Sequence, residues 1–499
     1  VWKSVGVSWS FLTPRQQRTT IILTIFRVFA NLLDLVGIGA IGLLVMALAS
    51  GRIDFEIGNF YRIQIEETPF ELIVGLVALA AGSFLAKALI GLVLSLLSIR
   101  VLVTAEVRSS RRIMNYLISS PLSEVRRYSR GDIQYSANMS SNAMYFGLIQ
   151  SVSNLVTELS LMLMIVAGFF LVNPLAATVV TIYIFILLSV VQWILGNRLK
   201  KIGQDIAEGT VKSTGVLFDA IQAFREISVF GKQKYFLEKF SEGKWQVGKT
   251  KGTETILRTI PRIVIEQGLM LGVLAFVGWQ LLQNDTATGL ASVGVFVAGA
   301  VRIIGAILPV QQSWTSLKTN QVKAEKAQAI LIKDRDRRRA EAVLVDSADR
   351  IAQVEAAEAL AETGRGMAVQ VTNVSYQYPD ADAPVVDGIS LAAKPGGFIA
   401  LVGPSGAGKT TLADLILGLH KPDECSVTLD GVDPRIIREV HPGLISYVPQ
   451  QPGMVQGPIA DNVALGVDPS VRDDERVREC LVLADMWSLV SELPGDIHA

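Results

Sequence analysis

Phe398-Ile-Ala-Leu-Val402 runs directly into Gly403-Pro-Ser-Gly-Ala-Gly-Lys-Thr410, after which Thr411–Leu419 reads as a helix. A short continuous apolar run is the pattern of a buried strand. The eight residues after it fit the phosphate-loop pattern GxxxxGK(S/T) in the order strand, loop, helix. Gly403, Gly406 and Gly408 let the backbone turn tightly, so that its N–H groups face phosphate oxygens. Lys409 supplies a point charge to the β and γ phosphates, and Thr410 offers a hydroxyl to Mg²⁺. The helix start adds its partial positive charge. This stretch predicts that the chain binds a nucleoside triphosphate.

Upstream of the loop, Val369–Val371 and Leu391–Ala393 look like short strands. Before them, Leu317 to about Arg365 is rich in Ala, Glu, Lys and Arg and reads as a helical extension and linker. Its charge run Lys333–Arg339 reads as a solvated surface.

The rest of the chain is of a different kind. The 499 residues carry no net charge, with 50% hydrophobic and 18% charged residues, and the mean hydropathy is +0.41. Soluble domains carry nearer 25% charged residues, so this composition points to a membrane. The balance of 46 basic and 46 acidic residues argues against a nucleic-acid binder. With only Cys425 and Cys480, no disulfide framework is expected. No signal peptide is evident in the first twenty residues, and the initial Val fits a fragment, a processed end or a non-standard start codon.

Crossing an apolar core of about 30 Å takes about 20 helical residues. Six stretches qualify: 21–50, 70–103, 144–172, 175–195, 263–282 and 290–308. Asn173–Pro174 predicts a tight turn between the third and fourth. The connection after the second span is rich in Arg, from Arg100 to Arg130, and the one after the fourth is rich in Lys, from Lys200 to Lys239. The first outer loop is acidic, and Gln283–Gly289 holds no basic residue. Both termini and both long connections are therefore expected in the cytoplasm. Apolar residues at helix-like spacing through Val216–Phe230 predict helices that reach beyond the membrane, in preference to solvated loops.

Charged residues within spans are costly and count as functional candidates. Asp34 and Lys87 both fall about 24–26 Å from the outer face, near the inner leaflet. They are expected to pair, or Lys87 to snorkel to the headgroups, with a substrate contact as the other reading. Arg302 falls about 18 Å below Leu290, where its guanidinium could meet a phosphate headgroup or a structural partner.

Six spans with long cytoplasmic helices and then a phosphate-loop domain resemble the half-transporters of the ATP-binding cassette exporter family. The resemblance covers nearly the whole chain. It implies residues 1–316 as transmembrane domain, 317–366 as helical linker and 367–499 as the N-terminal part of a truncated α/β nucleotide-binding domain. VSYQYP places Tyr378 where the family stacks adenine, and ISYVPQQP places Gln450 where a glutamine contacts Mg²⁺ and the attacking water. Gly403, Pro404, Ser405, Gly406, Ala407, Gly408, Lys409, Thr410 and Thr411 fall on the family's ATP-binding loop. GPIADNVALG looks like the stretch that follows the glutamine. Gly131–Asn142 and Leu217–Phe230 fall where the family has its coupling helices.

LTPRQQR with LLDLVGIGAIGLLVMAL, and FREISVFGKQKYFLEKF, look like the branch that flips lipid-linked oligosaccharides. The family's LSGGQ-like signature, the Asp-Glu that ends an apolar strand and the switch histidine do not occur in the sequence, so no catalytic glutamate is assigned. The resemblance thus leads one to expect residues beyond Ala499.

The resemblance implies an ATP- and Mg²⁺-dependent exporter or flippase of a lipid-linked or amphipathic substrate. It would act as a dimer with a second half-transporter in the bacterial plasma (inner) membrane, without nucleic acid. The alternative is an ATP-binding membrane regulator or nucleotide-gated channel that does not hydrolyse.

Overall fold

A computed structural model describes the chain except residues 51–52, 58–60, 66–68, 173–176, 179–180, 184, 187–188, 190–197, 283–285, 346–347, 363, 380 and 451. It divides into two compact units, residues 1–350 with 378–380, and residues 351–377 with 381–499.

Among the described residues the first unit is mainly helical, with a small antiparallel hairpin, Ile53–Ile57 against Tyr61–Ile65. The helix Pro14–Ala30 begins with a capping box. Thr13 Oγ1 accepts from the Gln16 N–H at 3.3 Å, and Gln16 Oε1 accepts from the Thr13 N–H at 3.1 Å. Pro14 occupies the first turn, where its missing N–H costs nothing. The chain breaks at Asn31 and resumes as Leu32–Ser50. Asn31 Nδ2 uses the break to donate to the Thr157 carbonyl at 2.8 Å and Ser160 Oγ at 3.2 Å, on the helix Gln150–Val172.

Phe70–Ser119 is one helix of 50 residues, about 75 Å at 1.5 Å per residue. It therefore projects far beyond a 30 Å apolar core. Its first half exposes Val74, Val77, Leu85, Leu89 and Val93, a surface suited to lipid. The helices Gln233–Leu282 and Thr286–Val345 run 50 and 60 residues with Pro261 and Pro309 inside them. The projecting ends pack as a water-soluble core does, with Ile113, Tyr145, Leu148, Leu317, Ala327 and Leu331 fully or nearly fully buried. Two helices touch at Gly203, where a Cβ would lie 2.6 Å from the Thr319 carbonyl oxygen.

Among the described residues three helical stretches are long and apolar enough to cross a membrane: Pro14–Val45, Phe70–Ser119 and Arg130–Gly168. The expected spans 263–282 and 290–308 lie within long helices. Most of 175–195, and the Asn173–Pro174 turn, lie outside the described residues.

Gly131–Asn142 is not a separate short helix. It is the start of the nearly unbroken helical stretch that continues through Val172. A separate helix occurs just before it, Leu122–Val125, and another at Phe224–Val229 within the second expected stretch.

In the second unit, Val369–Tyr376 lies between Val386–Ala393 and Glu424–Leu429, antiparallel to both. Val369 sits opposite Ala393 on one side and Leu429 on the other. The run Phe398–Val402 departs from the sequence reading. It forms no strand, and Phe398 and Val402 are each 93% exposed. A buried strand needs a ladder on at least one edge, and among the described residues this run pairs with none.

The charge run Lys333–Arg339 also departs from its reading. Asp334 within it is wholly buried, because it meets two guanidinium groups.

Candidate functional site

Residues Gly403 to Ala407 are exposed, and the helix Lys409–Ile416 follows. Gly408 caps that helix in the left-handed region at φ +80°. A Cβ there would stand 2.6 Å from the Val385 carbonyl oxygen, so both conformation and space require glycine. Gly406 is left-handed as well, φ +85°. Turns of this kind gather backbone N–H groups into an anion-binding concavity, and the helix N-terminus reinforces it.

Lys409 Nζ donates to the carbonyls of Gly403 at 2.8 Å and Pro404 at 2.7 Å. These bonds hold the ammonium over the loop's own first residues. A phosphate oxygen would be a stronger, charged acceptor for the same donor.

The loop helix is anchored by Thr411, Leu412, Asp414 and Leu415, all buried. Behind it, the Tyr376 hydroxyl lies 3.1 Å from His420 Nδ1, and His420 Nε2 lies 3.9 Å from Asp414 Oδ2. This buried chain ties the end of the central strand to the helix that carries Lys409. Sequence reasoning missed it. Its one signal was Asp414, a carboxylate among the buried positions of a short apolar helix.

Thr410 is exposed beside Lys409 in the first turn of the helix. Gln450 is exposed in a bend, and among the described residues no hydrogen bond joins it to the loop. Tyr378 is half-buried, two positions past the end of its strand. In the membrane half, Lys87 Nζ pairs with the wholly buried Asp34. The Arg302 side chain lies outside the described residues.

The loop fits a triphosphate, since residues 403–407 are exposed, its turns need glycine and its one ammonium is already placed. Mg²⁺ fits less completely. Among the described residues no cluster of three His, Cys, Asp or Glu could hold a metal. Magnesium, however, is often bound by one or two protein groups and by the nucleotide's own phosphates.

The family model for the ABC transporter domain matches residues 386–495, and the model for the ABC transporter transmembrane region matches residues 20–250. ABC transporter B family member 1 of Dictyostelium discoideum is 26% identical over 298 residues, 56% of this chain and 29% of that protein. The mycobactin import ATP-binding/permease protein of Mycolicibacterium smegmatis is 38% identical over 136 residues, 27% of this chain and 23% of that protein. The ABC multidrug transporter atrC of Emericella nidulans is 33% identical over 153 residues, 27% of this chain and 12% of that protein. The matched stretch is thus under a third of each relative's own length. Among solved structures, a bacterial Atm1-family ABC exporter with ATP bound superposes with a TM-score of 0.70 at 14% identity, over 97% of this chain and 79% of that one. At that identity the likeness is one of fold.

Proposed function

This chain belongs to the ABC transporter family, and on that premise we propose that it powers movement of an amphipathic or lipid-linked substrate across a membrane with ATP. The observation that carries the reading is the Lys409 ammonium held over the left-handed glycine loop at the head of a helix. In this reading residues 403–411 hold the triphosphate and Tyr378 stacks on the adenine. Thr410 and Gln450 complete the coordination of Mg²⁺. ATP supplies the phosphoryl group whose transfer to water releases the energy. Lys409 and the loop amides steady the charge that shifts on the γ-phosphate.

Six spans are proposed, with both termini and the nucleotide domain in the cytoplasm and a plasma (inner) membrane as the site. The three apolar helices and the Arg- and Lys-rich connections support this topology. Relatives in fungi and a slime mould extend the likeness beyond bacteria. We further propose a dimer with a second half-transporter, in which ATP binding shifts the population between inward- and outward-facing states. The short helices Leu122–Val125 and Phe224–Val229 would carry that motion to the spans. One relative is named for import, so direction is a property to measure in vesicles of defined orientation.

The test is Lys409→Ala in the full protein with a fluorescent ATP analogue. Loss of binding is expected, and unchanged binding overturns the assignment. Substrate movement by wild type must also require hydrolysis. Equal movement with a non-hydrolysable analogue would turn the pump into a ligand-gated regulator.

A further inference from the structure

A polar cavity of 210 Å³ opens among the helices of the membrane half. It is lined by Arg27 and Asn31 from the first apolar stretch, Lys87 and Ser95 from the second, and Asn154 and Glu158 from the third. Polar and charged side chains from all three apolar stretches thus converge on one space.

Arg27 feels the charge of Glu158 and is otherwise held, among the described residues, only by long hydrogen bonds. Nη1 donates to Asn154 Oδ1 at 3.5 Å, and Nη2 donates to the Leu94 carbonyl at 3.4 Å and Ser95 Oγ at 3.3 Å. All three acceptors are neutral and lie well beyond the ordinary N–H···O distance of about 2.9 Å. Lys87 is paired with Asp34, which is wholly buried and outside the cavity wall. The cavity wall thus carries Arg27, Lys87 and Glu158, with Asp34 behind Lys87, so its charges balance before a ligand enters.

Depth identifies the kind of ligand. Counted from Ser50, Arg27 lies about 35 Å along its helices, and counted from Phe70, Lys87 and Ser95 lie about 26 and 38 Å along theirs. An apolar core is about 30 Å thick, so the cavity straddles the edge of the leaflet opposite the hairpin. That is the layer of lipid headgroups. Its volume is below the roughly 300–1,000 Å³ of pockets that enclose a whole drug-sized ligand, so a headgroup enters and the chains stay outside. Phe26, Phe29, Ile90 and Val93, each one to four residues from a lining residue, are exposed where such chains would lie.

We propose that this cavity binds the phosphodiester of a membrane-lipid headgroup, with Arg27 as its principal donor and Lys87 as the second cation. A guanidinium suits two phosphate oxygens at once. Glu158 sets the charge. It repels a second negative charge, so the monoanionic diester is favoured over dianionic inorganic phosphate. The site needs neither ATP nor transport, and goes beyond the function proposed above.

The experiment extracts the full protein from bilayers containing phosphatidylglycerol and a phosphate-free galactolipid, and weighs the retained lipid by native mass spectrometry. Wild type is expected to retain phosphatidylglycerol selectively, and Arg27→Gln to lower that retention about tenfold. Arg27→Lys should restore part of it. Unchanged binding of an ATP analogue by the variants shows that they are folded. Equal retention of the two lipids by wild type overturns the proposal whether or not a variant folds, as does undiminished phosphatidylglycerol on a folded Arg27→Gln. Inorganic phosphate bound by delipidated wild type, without any lipid preference, overturns the lipid as its source.

Discussion

Asp334 and Arg112 are joined across 222 positions of sequence, Arg112 Nε and Nη2 donating to Asp334 Oδ2 at 3.0 and 2.7 Å. The carboxylate is wholly buried, and its other oxygen accepts from Arg338 Nε at 2.9 Å. The pair ties the far end of the helix Phe70–Ser119 to the helix Thr286–Val345. Removing one partner of such a pair strands a charge away from water. Arg112→Ala, which leaves the wholly buried Asp334 with Arg338 alone, should therefore destabilise the helical unit by about 2–3 kcal/mol. A thermal unfolding midpoint equal to wild type in the same detergent would contradict this account.

A second link at the same end of the unit is sensitive to pH. Lys333 Nζ donates to Glu124 Oε1 at 2.7 Å and lies 3.0 Å from the Tyr128 hydroxyl. Burial works to raise the Glu124 pKa, but the bond and charge of Lys333, helped by Arg127, outweigh it and hold the carboxyl below its ordinary 4.5. The bond to Glu124, and then that to Tyr128, raises Lys333 above the usual lysine range. A depressed carboxylate contributes stability above its unfolded pKa and loses it as pH falls through the folded one. The unfolding midpoint should thus drop as pH falls below about 4.5, and Glu124→Gln should flatten that part of the profile. Identical profiles for the two proteins would rule the link out as a source of acid sensitivity.

Where a pattern is local, the sequence was easy to read. GPSGAGKT needs only its own turns, and the left-handed glycines at 406 and 408 lie where the motif requires them. The capping box at Thr13 and Gln16 is as local, complete within four residues, but it was not read from the sequence. Phe398–Val402 shows the limit, since an apolar run specifies burial but not the neighbour that would bury it. Lys333–Arg339 fails for the same reason. Charge composition suggested a solvated face, while the fate of Asp334 depends on an arginine far away in sequence. Tyr376 and His420, 44 positions apart, meet only after the strand and the loop helix have packed.

The two left-handed glycines of the loop should respond differently to the same change. At Gly406 a Cβ would meet nothing within 4 Å, so Gly406→Ala carries only the conformational cost, about 1–2 kcal/mol. At Gly408 the same Cβ adds a 2.6 Å approach to a backbone carbonyl that cannot swing aside. Titration with an ATP analogue should show weakened binding for Gly406→Ala and none measurable for Gly408→Ala. The reverse order would mean that the loop's shape is not what holds the nucleotide.

The proposed roles of Tyr378 and Gln450 separate binding from chemistry. Stacking of a base on an aromatic ring is worth about 1–3 kcal/mol, so Tyr378→Ala should raise the Kd for ATP about tenfold. Tyr378→Trp, which keeps an aromatic face, should restore most of it. Gln450 is assigned to the metal and the attacking water, so Gln450→Ala should leave the Kd within about threefold while lowering kcat at least 100-fold. Both constants must come from the full transporter in bilayers with Mg²⁺ present. If Gln450→Ala instead weakened binding and spared turnover, the glutamine would be a nucleotide contact, and the catalytic part of its assignment would fall.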